Sequence, residues 1–108
     1  MRMAIIGDEE TVTGFMLAGV KEGHAVRDAF ETEKALKKVF NTPDIVVLFI
    51  TSDVAKYVRQ LISDRRNMGE FYPIVVEIPP KSGKMEEDVI RMIVRRAVGV
   101  DMEKEESA

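Results

Sequence analysis

The sequence predicts a small three-layer α/β sandwich, in which a four-stranded parallel sheet lies between helices on both faces. Residues 45–50 (IVVLFI) are six consecutive apolar residues without alternation, which is typical of a strand buried on both faces. Four short apolar runs alternate with segments of helical periodicity, as parallel strands and their crossover helices do. The length of 108 residues fits one domain.

The composition narrows the class of protein. The net charge is −3, so no general basic surface indicates a nucleic-acid partner. With no cysteine and one histidine, the chain has no disulfide or catalytic thiol, and we expect no cofactor and no zinc site. No apolar run approaches the roughly 20 residues of a membrane span, and no segment resembles a signal peptide. We therefore expect a cytoplasmic protein without direct membrane insertion.

The first strand and helix contain two unexpected glycines. Residues 3–6 are the strand, and the helix after it takes Thr11 as its N-cap and Gly23 as its stop. Gly14 and Gly19 lie inside this predicted helix, where each is less favourable than alanine by roughly 1 kcal/mol. We interpret them as points of close approach to another backbone, either the chain's own or a partner's.

The second strand, residues 24–29, is weak and has the charged character of a sheet edge. Thr32 is the predicted cap of the next helix. The residues of that helix that face inward are Ala35, Leu36, Val39 and Phe40.

After the central strand, Ser52 or Asp53 caps a third helix, whose inward stripe is Val54, Val58, Leu61 and Ile62. Residues 72–80 form the fourth strand, with Pro73 tolerated only at its start. The last helix covers residues 86–100, and a charged tail follows. With the first and third strands central, the arrangement is flavodoxin-like. We divide the chain into a sandwich core (1–84), a C-terminal helix able to dock or detach (85–100) and the tail (101–108).

The first turn does not carry a nucleotide-binding motif. A P-loop needs four residues between its glycines and then a lysine, whereas six residues separate Gly7 from Gly14 and Phe15 follows. The glycine fingerprint of dinucleotide-binding folds is also missing.

A receiver-like, phosphoryl-accepting signalling domain is an alternative with the same fold. Asp8 and Glu9 follow the first strand and Asp53 follows the third, so the three acids could hold Mg²⁺ with Asp53 as the acceptor. Against this, no fifth strand with its lysine is predicted. Favourable charge at helix N-termini explains the same acids without chemistry.

The last helix is apolar around more than half of its circumference. The apolar positions are Val89, Ile90, Met92, Ile93, Val94, Ala97 and Val98. Packing on one face of a sheet requires a stripe only somewhat wider than about 100°. The surplus predicts a second docking position, for which the candidate residues are Ile90, Ile93, Val94 and Ala97, unless the helix simply closes a sheet edge.

Three segments resemble the F subunit of the archaeal and vacuolar-type rotary ATPases. Residues 5–20 read IIGDEETVTGFMLAGV, which is similar to that family's opening Gly-Asp-x-x-Thr-x-x-Gly-Phe-x-Leu-Ala-Gly pattern. Residues 48–51 (LFIT) with the helix after them, and residues 73–79 (PIVVEIP), are similar to its third and fourth strands. The chain length and the lack of insertions favour the archaeal type.

The resemblance implies a non-catalytic component of the central stalk, which couples ATP synthesis or hydrolysis to ion transport. The implied partners are the coiled-coil D subunit of the stalk and, through the C-terminal helix, the A and B subunits of the catalytic head. The implied location is the cytoplasmic side of the cell membrane, as a peripheral part of the complex. Our candidate residues for the partner interface are Gly14, Phe15, Lys56, Arg59, Arg65 and Arg66.

Overall fold

The structure, a computed structural model, describes residues 2–80 and 87–106, and in the last helix the side chains of residues 90–99. The elements follow in the order β1 (Arg2–Gly7), α1 (Glu9–Leu17), β2 (Glu22–Ala25), α2 (Ala29–Phe40), β3 (Ile45–Thr51), α3 (Ser52–Ala55), α4 (Arg59–Asn67), β4 (Ile74–Ile78) and α5 (Glu87–Glu106).

The four strands form one parallel sheet in the order β2-β1-β3-β4. This confirms the predicted sandwich and its two central strands. Between β1 and β3 the register shifts once, because Arg2 lies opposite Ile45 whereas Met3 lies opposite Val47. The extra residue, Val46, is a β-bulge in the central strand. β2 and β4 are the edges of the sheet, as the charged character of the second strand predicts.

Each face of the sheet has its own hydrophobic core. On the first face, Ala4, Ile6 and Leu48 pack against α2, α3 and α4. On the second face, Ile5 and Phe49 pack against α1 and α5. Because both faces are covered, β3 needs an unbroken apolar sequence, and the alternation expected of a half-exposed strand is absent.

Aspartates, and not the predicted threonines, cap the first two long helices. Asp8 accepts a hydrogen bond from the Thr11 N–H at 3.1 Å. Asp28 accepts one from the Glu31 N–H at 2.8 Å. Aspartate and threonine both suit this position, and the short connections from the strands decide between them, since each helix starts soon after the strand before it. The predictions of Thr11 and Thr32 as N-caps are therefore wrong.

The glycines in the segment from α1 to β2 have roles that the helical pattern does not predict. α1 ends at Leu17, and Gly19 lies in the turn after it with φ of 114°, a conformation that favours glycine. Gly23 does not end the helix but lies in β2, where a Cβ atom would be 2.6 Å from Val12 and from Met16 of α1. Only Gly14 lies inside α1 as predicted.

The predicted third helix is two helices separated by a turn at residues 56–58. Its inward stripe is nevertheless confirmed, since Val54 and Val58 are buried and Leu61 and Ile62 pack against the same core. Neither Ser52 nor Asp53 is its N-cap, because Thr51 holds that position. β4 is shorter than predicted at both ends, and α5 continues six residues beyond the predicted end at residue 100.

Candidate docking surfaces

The last helix lies against the second face of the sheet. Ile90 and Val94, one helical turn apart, are buried in the same core as Phe15 and Phe49. Ile93 and Ala97 are partly buried against this core. All four predicted docking residues thus contact the chain's own sandwich in this structure.

Gly14 allows α1 and α5 to approach closely. A Cβ atom at Gly14 would lie 2.8 Å from Cδ1 of Ile90, which is well inside van der Waals contact. The close approach that the glycine predicts is therefore internal. Phe15, beside it, is fully buried with its ring 5.1 Å from that of Phe49, so it lies in the core and not at a partner-facing surface.

The outer side of α5 is basic and partly apolar. Arg91, Met92, Arg95 and Arg96 are exposed along it. Between α5 and the end of α1 lies a groove of about 390 Å³, to which Leu17 and Val98 contribute apolar walls. Val94 also lines this groove, so the groove adjoins the buried contact that Ile90 and Val94 make with the sandwich.

Arg65 has structural contacts that its sequence position does not reveal. Its guanidinium group lies 4.3 Å from the centre of the Phe40 ring. The Nε atom donates to the Tyr72 carbonyl at 3.2 Å and Nη2 donates to the Phe40 carbonyl at 3.4 Å. It also forms a salt bridge with Glu70 at 3.0 Å. Arg65 therefore joins the ends of α2 and α4 to the start of β4.

The other predicted basic interface residues are distributed along the same layer. Arg59 forms an ion pair with Glu77 of the edge strand β4. Lys56 is exposed, with its ammonium nitrogen 5.2 Å from the centre of the Tyr57 ring. Arg66 is exposed and lines a groove of about 320 Å³ between α4 and β4. Ion pairs within the chain therefore already occupy part of the predicted basic surface.

The loop between α4 and β4 exposes large apolar side chains that the sequence analysis did not single out. Met68 is 71% exposed, Phe71 67% and Tyr72 50%. Tyr72 lies before β4, although it is the first residue of the predicted fourth strand, and no periodicity in the sequence signals the exposure of Met68 and Phe71.

A further groove, of about 580 Å³, lies at the opposite edge of the sheet between β2 and α2. Phe30, 75% exposed, contributes to it together with Lys34 and Lys38. The single histidine, His24, also lines this groove and lies 3.2 Å from a carboxylate oxygen of Glu22.

The acids of the receiver-like alternative are engaged with the backbone. Besides capping α1, Asp8 accepts a hydrogen bond from the Thr11 hydroxyl at 2.5 Å. Asp53 accepts one from the Val54 N–H at 3.0 Å. Over the residues that the structure describes, no three Asp, Glu, His or Cys side chains come together in a way that could hold a metal ion.

None of the helices in residues 2–80 and 87–106 is long and apolar enough to cross a membrane.

Comparison with known proteins identifies the family. The sequence pattern of the ATP synthase (F/14-kDa) subunit matches residues 3–96, which include the sheet except for Arg2 and the buried residues Ile90 and Val94 of α5. The chain belongs to this family of ATP synthase F subunits.

Curated relatives in this family match over nearly their whole length. The A-type ATP synthase F subunit of Methanocaldococcus jannaschii is 33% identical over 94% of this chain and 99% of its own. That of Thermococcus kodakarensis is 36% identical over 96% of this chain and 100% of its own. The aligned regions therefore include residues of α5.

A solved structure supports the same assignment. The F subunit of the V-type ATP synthase from Archaeoglobus fulgidus is similar with a TM-score of 0.59 and 26% identity. The match covers 71% of this chain and 95% of the Archaeoglobus chain. The F subunit and the chain described above therefore share one fold.

Proposed function

We propose that this chain is the non-catalytic F subunit of an archaeal-type rotary ATP synthase, a central-stalk component that binds the coiled-coil D subunit. The observation that carries the proposal is the end-to-end match to F subunits of A-type ATP synthases, at 33% identity over 99% of one such protein. In this role the chain contributes to coupling between ATP turnover and ion transport, on the cytoplasmic side of the membrane as a peripheral component.

The described polar side chains fit a binding role. Asp8 and Asp28 cap helices, and Arg65 holds a loop, so each is occupied in supporting the backbone. By contrast, the described surface has large exposed apolar residues at both edges of the sheet, such as Phe30 and Phe71. Exposed apolar groups of this kind are typical of protein interfaces.

The proposal gives α5 a second position, in which its apolar residues contact the A and B subunits of the catalytic head. Full burial of a side chain such as Ile90 or Val94 contributes roughly 1.5–3 kcal/mol. Releasing the helix from the sandwich therefore costs several kcal/mol. A partner that buries the same side chains offsets a cost of this size, so two positions of comparable free energy are feasible.

The experiment is to assemble the complex with and without this chain. The A, B and D subunits, the ion-translocating sector and this chain are combined in vesicles, and ATP hydrolysis and ion pumping are measured together. We expect the isolated chain to hydrolyse no ATP, and its omission to lower the number of ions moved per ATP. Hydrolysis by the isolated chain, or unchanged coupling without it, would contradict the proposal.

A further inference from the structure

The outer face of α5, the side turned away from the sheet, has positive charge in its first half and negative charge in its second half. Ile90 and Val94 are buried against the sandwich, which fixes the direction of the opposite side. Residues three, four and seven apart share one side of a helix. By this spacing the outer face consists of Met92, Arg95, Arg96, Gly99, Met102, Glu103 and Glu106.

This order of charges does not stabilise α5 by itself. Negative charge is unfavourable at the C-terminus of a helix, yet Glu103 and Glu106 lie in the last turn of α5. Arg95 and Arg96 are exposed, and neither has an acidic residue three or four positions away along the helix. Among the described side chains, neither arginine forms an ion pair. Opposite charges from outside this chain would therefore stabilise both halves of the outer face.

Gly99, in the middle of the outer face, has no packing role among the described residues. Glycine inside a helix is less favourable than alanine by roughly 1 kcal/mol. At Gly14 the reason is internal, because a Cβ atom there would lie 2.8 Å from Ile90. A Cβ atom at Gly99 would have no neighbour within 4 Å. A glycine at such a position allows the backbone of a second molecule to approach closely.

The outer face is complementary to itself. Arg95 and Glu103 lie four residues before and after Gly99, which is about 6 Å along the helix axis in each direction. When a second copy of α5 crosses the first at Gly99 in the antiparallel direction, Arg95 of each copy meets Glu103 of the other. A two-fold interface requires this reciprocal relation, whereas an unrelated partner does not. The self-complementarity therefore favours a second copy of this chain as the occupant.

We propose that two copies of this chain associate through the outer faces of α5, antiparallel and centred on Gly99. The inner side of each helix stays packed on its own sandwich, so the association requires no release of α5. Exposed apolar side chains beside the charges add contact area, since Met92 is 49% exposed and Leu17, which lines the adjoining groove with Arg95, is 72% exposed. One helix face is a small interface, so the dimer is weak and depends on concentration. The inference goes beyond the proposed function and does not depend on it.

Sedimentation equilibrium of the full-length chain at low salt tests the pairing by charge reversal. Arg95→Glu places acid against acid twice in each dimer, and Glu103→Arg places base against base twice. We expect either variant alone to weaken dimerisation at least roughly 10-fold, because like charges face each other. An equimolar mixture of the two variants should associate as the wild type does, and so should the double variant Arg95→Glu with Glu103→Arg. The matched control is Lys34→Glu on α2, which makes the same charge change on the other layer and should leave the dimer unchanged.

Gly99→Leu is an independent probe, because it favours the helix but places a large side chain at the crossing point. We expect it to weaken the dimer, and circular dichroism verifies that each variant is folded. A wild-type chain that stays monomeric up to roughly millimolar concentration would overturn the inference and leave the proposed function standing. A dimer that withstands both single reversals would overturn it as well. Restoration by the mixture but not by the double variant would mean that the helices run parallel, which contradicts the antiparallel arrangement.

Discussion

Thr32 and Thr51 show how one buried hydroxyl can stabilise the fold while another weakens it. Both side chains are 0% exposed. The Thr32 hydroxyl donates to the Asp28 carbonyl at 2.7 Å. The Thr51 hydroxyl, at the end of β3, has no hydrogen-bond partner among the described residues. A buried hydroxyl without a partner loses its hydrogen bonds to water and gains none in the protein.

We therefore predict that Thr51→Val raises the free energy of unfolding by about 1 kcal/mol, because it replaces an unpartnered hydroxyl with a methyl group of similar size. The matched control is Thr32→Val, which removes a formed hydrogen bond and should lower the free energy of unfolding by about 1 kcal/mol. Denaturant titration measures both. Equal destabilisation by the two changes would show that the Thr51 hydroxyl has a partner, such as a bound water molecule.

Arg2 and Asp44 form an ion pair that joins the starts of the two central strands. Arg2 donates from Nε to one Asp44 oxygen at 2.6 Å and from Nη2 to the other at 2.9 Å. These hydrogen bonds lower the pKa of Asp44 from its ordinary value of 3.8. Because the folded state has the lower pKa, the pair stabilises the fold above that value, and the contribution is lost as the pH falls below it.

Asp44→Asn should therefore flatten the decline of stability in acid. As the pH is lowered from 7 to about 3, we expect the urea concentration at the midpoint of unfolding to fall less for the variant than for the wild type. The variant has no carboxylate to protonate at this position. Arg2→Gln, which removes the other partner, should flatten the curve in the same way. Parallel pH curves for all three proteins would show that the pair does not contribute to folding.

At the scale of single elements, the sequence predicts which segments are helical better than where they begin. Asp28 and Thr32 are both acceptable N-caps, and local preference does not separate them. The decision comes from the sheet, because β2 ends at Ala25 and leaves room for a start at Asp28. The inward stripes, by contrast, are set by periodicity alone, and Leu36 and Val39 are buried as predicted.

The contact of Gly14 with Ile90 gives a quantitative prediction about α5. Gly14→Ala favours α1 by roughly 1 kcal/mol, but the new Cβ atom would displace Cδ1 of Ile90. Ile90→Val deletes that carbon. We predict that Gly14→Ala is more favourable in the Ile90→Val background than in the wild type by about 1 kcal/mol, measured as a double-mutant cycle in denaturant. Additive effects would mean that the two residues do not touch in solution.

The same contact allows α5 to be fixed to the sandwich. The chain has no cysteine, so the pair Gly14→Cys and Ile90→Cys can form only one disulfide. We predict that the oxidised protein still binds the D subunit but no longer changes the ATPase rate of the assembled complex, and that a reductant restores the effect. Gly14→Ser alone is the control. An oxidised chain that regulates normally would show that α5 acts from its packed position.

At the scale of the whole molecule, the sheet is predictable because the sequence of its central strand is apolar without interruption. Six apolar residues in a row require cover on both faces, and helices α1 to α5 supply it. The docking surface is less predictable. Arg65 reads as a free surface charge, yet its contacts are with carbonyls 7 and 25 residues away. Phe71 lies in no predicted element, and its side chain is exposed. Both depend on how α2 and α4 end beside each other, which no local pattern determines.

Co-expression of this chain with the D subunit, without the A and B subunits, tests the central claim most directly. Mass spectrometry under native conditions then measures the mass of the purified assembly. The account predicts a stable complex with one copy of each chain, because a stalk component that acts by docking needs no catalytic partner for that contact. Separate elution of the two chains, with this one folded, would contradict the account.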